Sequence, residues 1–383
     1  MNERIRSVDR LRGLVMILMA IDHVRDFIGP GVAFRGIDVE ATGAPLFLTR
    51  WITHFCAPVF VLLAGVSAGL MREAGKSVSE VRKFLVTRGL FLVLLELTLI
   101  RFAWSFDVSY HATFLGVIWV LGWSMVLLTL FVGARPSVAL GFGLVLVLGH
   151  DALDAVRADS LGAFGPWFAF LHEPHAYPIT EGYRFFILYP LVPWVGVMAI
   201  GFGVARSFVL PARERDRRLW MAGFAMLGVF VVLRGLLNVY ADPRPWAEQR
   251  TPLLTLLSVL DCTKYPPSLA YLTMTLGPAA FALIALERLP QKLGAPLEWL
   301  GRAPLFYYVL HLYLAHLGAF ALYGAVYGAR GLAFAAGGDG SPRFSLPVVY
   351  AATAVVVIVL VPACRWFGEL KRRRRDLTIL SYF

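Results

Sequence analysis

The sequence predicts an all-α, polytopic membrane protein: about ten transmembrane helices in one bundle, a single domain over residues 1–383, with both termini cytoplasmic. Three observations carry this. Hydrophobic residues make up 58% of the chain and the mean hydropathy is +0.68. Charged residues reach only 16%, against about 25% in soluble domains. The basic residues also cluster in short segments between apolar stretches, as the positive-inside rule requires.

A span needs about 20 mostly apolar residues. The stretches that qualify are 13–28, 52–71, 88–106, 113–133, 137–152, 184–205, 219–240, 266–287, 303–324 and 346–366. Arginine and lysine fix their direction. Arg4, Arg6, Arg10 and Arg12 precede the first span. Arg72, Lys76, Arg82, Lys83 and Arg88 separate the second from the third, and Arg135 separates the fourth from the fifth. Arg206 and the 213–218 run follow the sixth, Arg288, Lys292 and Arg302 follow the eighth, and Arg365 with Lys371 to Arg375 close the chain. These segments hold two thirds of the 36 lysines and arginines and are assigned to the inner side. The closing basic run suits anionic lipid headgroups, so the net charge of +11 is no sign of nucleic acid. The long outer loops, 29–51, 153–183 and 241–265, suit a binding vestibule. No cleavable signal peptide is expected, because the first apolar run lacks a small-residue cleavage site.

The first span is the most informative segment. Arg12 stands at its mouth, and Asp22 and His23 lie deep inside. His23 lies eleven positions after Arg12, about three helical turns or roughly 16 Å, and returns nearly to one face. Ionisable groups inside a span are costly and point to function. Asp26, three residues beyond His23, is the carboxylate able to share its face, whereas Asp22 points about 100° away. A histidine held by a carboxylate is a candidate general base. Arg25 is a candidate donor to a developing oxyanion. The alternative is an ion-pair network that only fixes packing.

Further candidates follow along the chain. His54, in Trp51-Ile52-Thr53-His54, lies at a depth similar to His23 and reads equally as a site residue or as a member of an interfacial aromatic belt. The small residues from Ala64 to Gly69 allow close helix contact within the chain or between copies, so a homo-oligomer stays open. Lys264 and Tyr265, at the mouth of the eighth span, offer an anion or polar-substrate contact or an interfacial anchor. Arg302 sits at the inner end of the ninth span. His311 lies about nine residues deeper and must face protein. Glu96, Arg101 and Arg234 are in-membrane charges expected to pair with one another or with loops. Cys56, Cys262 and Cys364 lack metal-ligand spacing and are expected as free thiols; no metal, Walker loop or dinucleotide fingerprint is expected.

Arg12 and His23 fit the arginine, ten residues, histidine pattern of membrane O-acyltransferases. More widely, the chain resembles bacterial relatives of the heparan-alpha-glucosaminide N-acetyltransferase catalytic-domain family. The matching pieces are Ser7-Val8-Asp9-Arg10-Leu11-Arg12-Gly13, Phe55-Cys56-Ala57-Pro58-Val59-Phe60, the Leu188 to Val197 run, Thr263-Lys264-Tyr265-Pro266-Pro267-Ser268 and Gly301-Arg302-Ala303-Pro304. The resemblance implies a multi-pass plasma (inner) membrane acetyltransferase. It takes an acyl group from cytoplasmic acyl-coenzyme A, acetyl-coenzyme A in the type case, and passes it to a sugar or glycan amine or hydroxyl on the outer side. Arg12, Arg302 and His311 are then expected to bind the acyl donor, and Arg25, Lys264 and Tyr265 the acceptor side. In the lysosomal member an asparagine stands where His23 stands here, and its catalytic histidine comes from the loop after the first span. Residues 29–51 hold no histidine in this chain, so catalysis lies with His23 or His54. The competing classes are a glycan or lipid-linked-sugar transporter or flippase, and a non-catalytic scaffold. The first lacks visible inverted repeats, and the second leaves residues 22–26 unexplained.

Overall fold

Leucine-, valine- and alanine-rich runs satisfy their own backbone groups as helices, and helices dominate the chain. The computed structural model describes residues 5–31, 38–336, 341–374 and 376–383. Arg4, Arg375 and positions 32–37 of the expected first outer loop fall outside them. Among the described residues, seven helices are long and apolar enough to cross a membrane: Ala44–Glu73, Pro136–Leu153, Leu191–Val209, Ala212–Leu237, Leu269–Glu287, Pro304–Tyr327 and Leu346–Arg373. Each coincides with one of the ten expected spans.

The other three expected spans differ for physical reasons. The first helix starts earlier, running Arg6–Ile28, and is charged at both ends, so only Gly13 to Ile21 is free of ionisable residues. The 88–106 stretch is composite. It contains the end of a helix, Val78–Leu95, then a π-helical segment, Glu96–Ile100, then a short helix, Arg101–Ser105. The 113–133 stretch opens as a strand, and its helix, Val117–Leu128, has 12 residues. At 1.5 Å per residue that is about 18 Å, well short of a hydrocarbon core of roughly 30 Å.

The strand belongs to a small three-stranded sheet, an addition to an otherwise helical chain. Strands β1 (Ala112–Leu115), β2 (His175–Thr180) and β3 (Tyr183–Ile187) lie in the order β1-β3-β2. β3 pairs parallel with β1 and antiparallel with β2. The β2–β3 turn uses Gly182 at φ +87°, where a side chain would be strained. The 153–183 stretch is therefore no open loop, and helix in the sixth span begins at Leu191 rather than 184.

The chain divides into two compact units. One contains Ala57–Leu97 and Tyr110–Ala285. Its helices approach closely where side chains are smallest: a Cβ on Gly143 would strike the backbone of Gly196, and one on Gly65 that of Met198. The Ala64 to Gly69 stretch thus packs within the chain. The other unit contains Arg6–Cys56, Thr98–Ser109 and Leu286–Phe383. There the first helix packs against Gln291–Arg302, Pro304–Tyr327 and Leu346–Arg373. Gly13 lies against the backbone of Leu297, and Gly301 against that of Asp9.

At Gly301 the neighbour is main chain and cannot swing away. Gly301→Ala is expected to cost about 1–3 kcal/mol, the usual penalty of overpacking, read as a lower thermal unfolding midpoint in detergent. Gly318→Ala, which meets open space inside the helix Pro304–Tyr327, does not lower the midpoint and raises it slightly through the better helix propensity of alanine.

Candidate active site

The first helix carries one polar cluster near each end. Near its start, Asp9 accepts from Arg12 Nη1 and Arg302 Nε, each at 3.4 Å. Glu298 accepts from Arg302 Nη2 at 2.7 Å and from Arg10 Nε at 3.0 Å. Arg12 also donates to the Gly301 carbonyl at 3.1 Å. Arg10 spends its remaining donors on the carbonyls of Leu286 and Leu289 and on Gln291, and its side chain is 2% exposed. It is structural. Arg12 at 14% and Arg302 at 38% remain reachable. Three arginines against two carboxylates leave this cluster with an excess positive charge.

Three turns on, His23 Nδ1 lies 2.6 Å from His311 Nε2. The ring centroids are 4.9 Å apart with 20° between planes. That separation is the nitrogen–nitrogen distance plus two ring radii of about 1.1 Å, so the rings meet edge to edge and nearly coplanar, in the geometry of an in-line hydrogen bond. Trp104 meets the His23 ring edge-on at 4.9 Å, and Tyr308 does so at 6.0 Å. His23 is half-buried, whereas His311 is completely buried.

The carboxylates expected to orient His23 are engaged by Arg25. Its Nη2 donates to Asp22 at 2.8 Å and to Asp26 at 2.7 Å, and its Nη1 donates to the Pro30 carbonyl. The Arg25 side chain is 1% exposed, so its fork is committed to this network.

Trp104 reaches His23 through the π-helical segment. The wider turn at Glu96–Ile100 resets the helix phase just before Arg101–Ser105. Tyr313 donates to the Leu99 carbonyl at 2.9 Å, and His316 Nδ1 to the Ala103 carbonyl at 2.7 Å. His316 is itself held between Phe27 at 4.5 Å and Phe106 at 4.1 Å. Arg101 pairs with Asp107 at 2.8 Å. Sequence reading missed Trp104 altogether; a tryptophan three residues beyond an in-membrane arginine was its only signal.

The other candidates are placed as follows. His54 is buried at the break between helices Ala44–Thr53 and Cys56–Glu73. Lys264 and Tyr265 belong to the other unit, where Lys264 Nζ sits 5.2 Å above the Tyr265 ring. Their loop is built on Asp242, which accepts from Thr263 N, Thr263 Oγ1 and Ser268 Oγ at 2.7–2.8 Å. Glu96 accepts from the backbone of Ile118 and Trp119, and Arg234 donates to the carbonyls of Val259, Ser258, Asp261 and Arg244. The three cysteines are buried thiols outside any disulfide. Among the described residues no group of three or more His, Cys, Asp or Glu is placed to hold a metal.

Residues 4–241 match the family described as heparan-alpha-glucosaminide N-acetyltransferase, catalytic. The chain belongs to this family. It is a multi-pass membrane protein of an acetyltransferase family. A comparison with curated proteins finds no match.

Four of the five segments that carry the resemblance close on one another in two pairs. Within one unit, Asp9 and Arg12 of the first motif bond to Arg302 and Gly301 of the last. Within the other, Tyr189 of the Leu188 to Val197 motif packs edge-on against Tyr265 at 5.3 Å.

Removing Arg25 strands two carboxylates beside the His23 end of the helix. Arg25→Met is expected to cost about 3–5 kcal/mol, as for other broken buried pairs. Asp26→Asn, at a carboxylate 38% exposed, costs under about 1 kcal/mol. Thermal unfolding of both variants in detergent checks the ordering.

Proposed function

We propose that the chain is an acetyl-coenzyme A-dependent acyltransferase of the plasma (inner) membrane, with both termini cytoplasmic and its two units acting as one catalytic domain. The acyl group comes from cytoplasmic acyl-coenzyme A and goes to a sugar or glycan amine or hydroxyl on the outer side. The observation that carries this reading is the first helix: a reachable, net positive arginine cluster at one end and a reachable imidazole about 16 Å along it, in a chain of this family.

Arg12 and Arg302 meet the phosphates of the donor, and the extended arm of coenzyme A brings the thioester toward His23. His23 takes a proton from the acceptor nitrogen or oxygen as that atom attacks the thioester carbonyl. The C–S bond breaks, the acyl group stays on the acceptor, and His23 returns its proton to the departing thiolate. If the imidazole itself accepts the acyl group first, the same balance holds in two steps. The exposure of His23 favours it over the buried His54. Lys264 and Tyr265 are assigned polar substrate contacts within their own unit.

Purified wild-type protein is expected to gain thermal stability from coenzyme A or acetyl-coenzyme A, by about 2.7 kcal/mol at a hundredfold excess over the dissociation constant. His23→Ala keeps that gain and loses roughly 10²–10⁴-fold in turnover, followed with labelled acetyl donor and a panel of envelope sugars. Arg12→Ala and Arg302→Ala lose the gain. A wild-type protein indifferent to coenzyme A overturns the reading in favour of a transporter or scaffold. Normal turnover in His23→Ala with loss in His54→Ala moves the base to His54.

A further inference from the structure

We propose that His311 is a positioning residue that fixes the tautomer of His23, and that it makes no contact with the acyl donor. The proposal rests on the acyltransferase reading for its catalytic consequence, while the tautomer itself is a property of the resting protein. Both ring nitrogens of His311 are committed. Nδ1 lies 3.1 Å from the Tyr307 carbonyl oxygen, one turn earlier on the same helix. A carbonyl oxygen only accepts, so Nδ1 carries the hydrogen. In a neutral imidazole Nε2 is then the lone-pair nitrogen, and at 2.6 Å from His23 Nδ1 it accepts. His23 Nδ1 is therefore the protonated nitrogen, and Nε2 of His23 holds the lone pair.

This is the arrangement a general base or acyl carrier needs. A buried carboxylate plays the same part for the histidine of a serine hydrolase, where the wrong tautomer is severely damaging. Here a neutral ring plays it. The edge-to-edge, nearly coplanar contact aligns the donor with the acceptor lone pair. Trp104 and Tyr308, both edge-on to His23, restrict rotation of its ring about that bond. His311 has no exposed surface and no spare nitrogen with which to reach a phosphate.

The test compares His311→Gln, His311→Asn and His311→Leu. Glutamine places its amide oxygen near the position of Nε2 and can accept from His23. Asparagine reaches only as far as Nδ1, and leucine accepts nothing. Leucine and asparagine are expected to lower kcat on the order of 10²-fold, with KM for acetyl-coenzyme A and coenzyme A stabilisation unchanged, and glutamine to restore most of the rate. Equal losses for all three variants reveal a packing role and overturn the proposal. Loss of coenzyme A stabilisation with kcat intact reveals a donor contact and also overturns it. Nitrogen-15 spectra of histidine-labelled wild-type protein, with His23 assigned by loss of its signals in His23→Ala, need no activity. They are expected to show Nδ1 of His23 protonated and Nε2 unprotonated, and the reverse overturns the proposal even if every His311 variant fails to fold. A wild-type protein with no acetyl transfer but this tautomer sinks the acyltransferase reading and leaves the proton arrangement standing.

Discussion

The bilayer offers no water to its interior, so every polar group placed there must find its partner within the protein. The first helix meets this constraint with three devices. Near its start, carboxylates and arginines form a closed network in which only Arg12 and Arg302 keep exposed surface. At His23 the partner is another imidazole. Just beyond, Arg25 joins two carboxylates. Between the polar ends the sequence from Gly13 to Ile21 is apolar. The helix therefore separates its two chemical ends while belonging fully to the packing of its unit.

That packing depends on main-chain contacts that side chains would prevent. Gly13 and Gly301 let the first helix lie against Gln291–Arg302 with backbone touching backbone. The same closeness brings Asp9 within reach of Arg302 and Arg12 within reach of the Gly301 carbonyl. Small residues and charged residues of the two motifs thus serve one purpose. The glycines set the distance, and the ion pairs span it.

The legible part of the fold was what hydrophobicity encodes locally. Seven apolar runs became helices of spanning length, and the spacing of Arg12 and His23 on one helix followed from helical geometry alone. What escaped depended on distant partners or on a change of period. His311 lies 288 positions from His23, and no local pattern announces such a pair. Asp26 has the right spacing for His23, yet Arg25 captures both neighbouring carboxylates. An arginine offers several donors in a rigid fork and outcompetes a single ring N–H. Phe114 stacks on Phe186 across two paired strands at 4.8 Å, but in sequence each sits in an apolar run indistinguishable from a helix. The π-helical turn at Glu96–Ile100 is similarly silent. It becomes visible only through Trp104, which it turns onto His23.

The capture of both carboxylates by Arg25 has a chemical consequence. A carboxylate bonded directly to His23 would supply orientation and negative charge through one contact. Here the two functions are divided. His311 orients the ring without adding charge. Asp22, Asp26 and Arg25 together carry one net negative charge within three residues of His23 along the helix. Coulomb attraction acts at a distance and does not require a hydrogen bond, so in the proposed mechanism, with His23 as the base, this group favours the imidazolium formed while the acceptor's proton is held. In that proposal the orienting partner adds no charge of its own, and the offset charge acts on the transient state. Preferential stabilisation of the charge-separated state over the resting one is what lowers a barrier, since binding both equally does not.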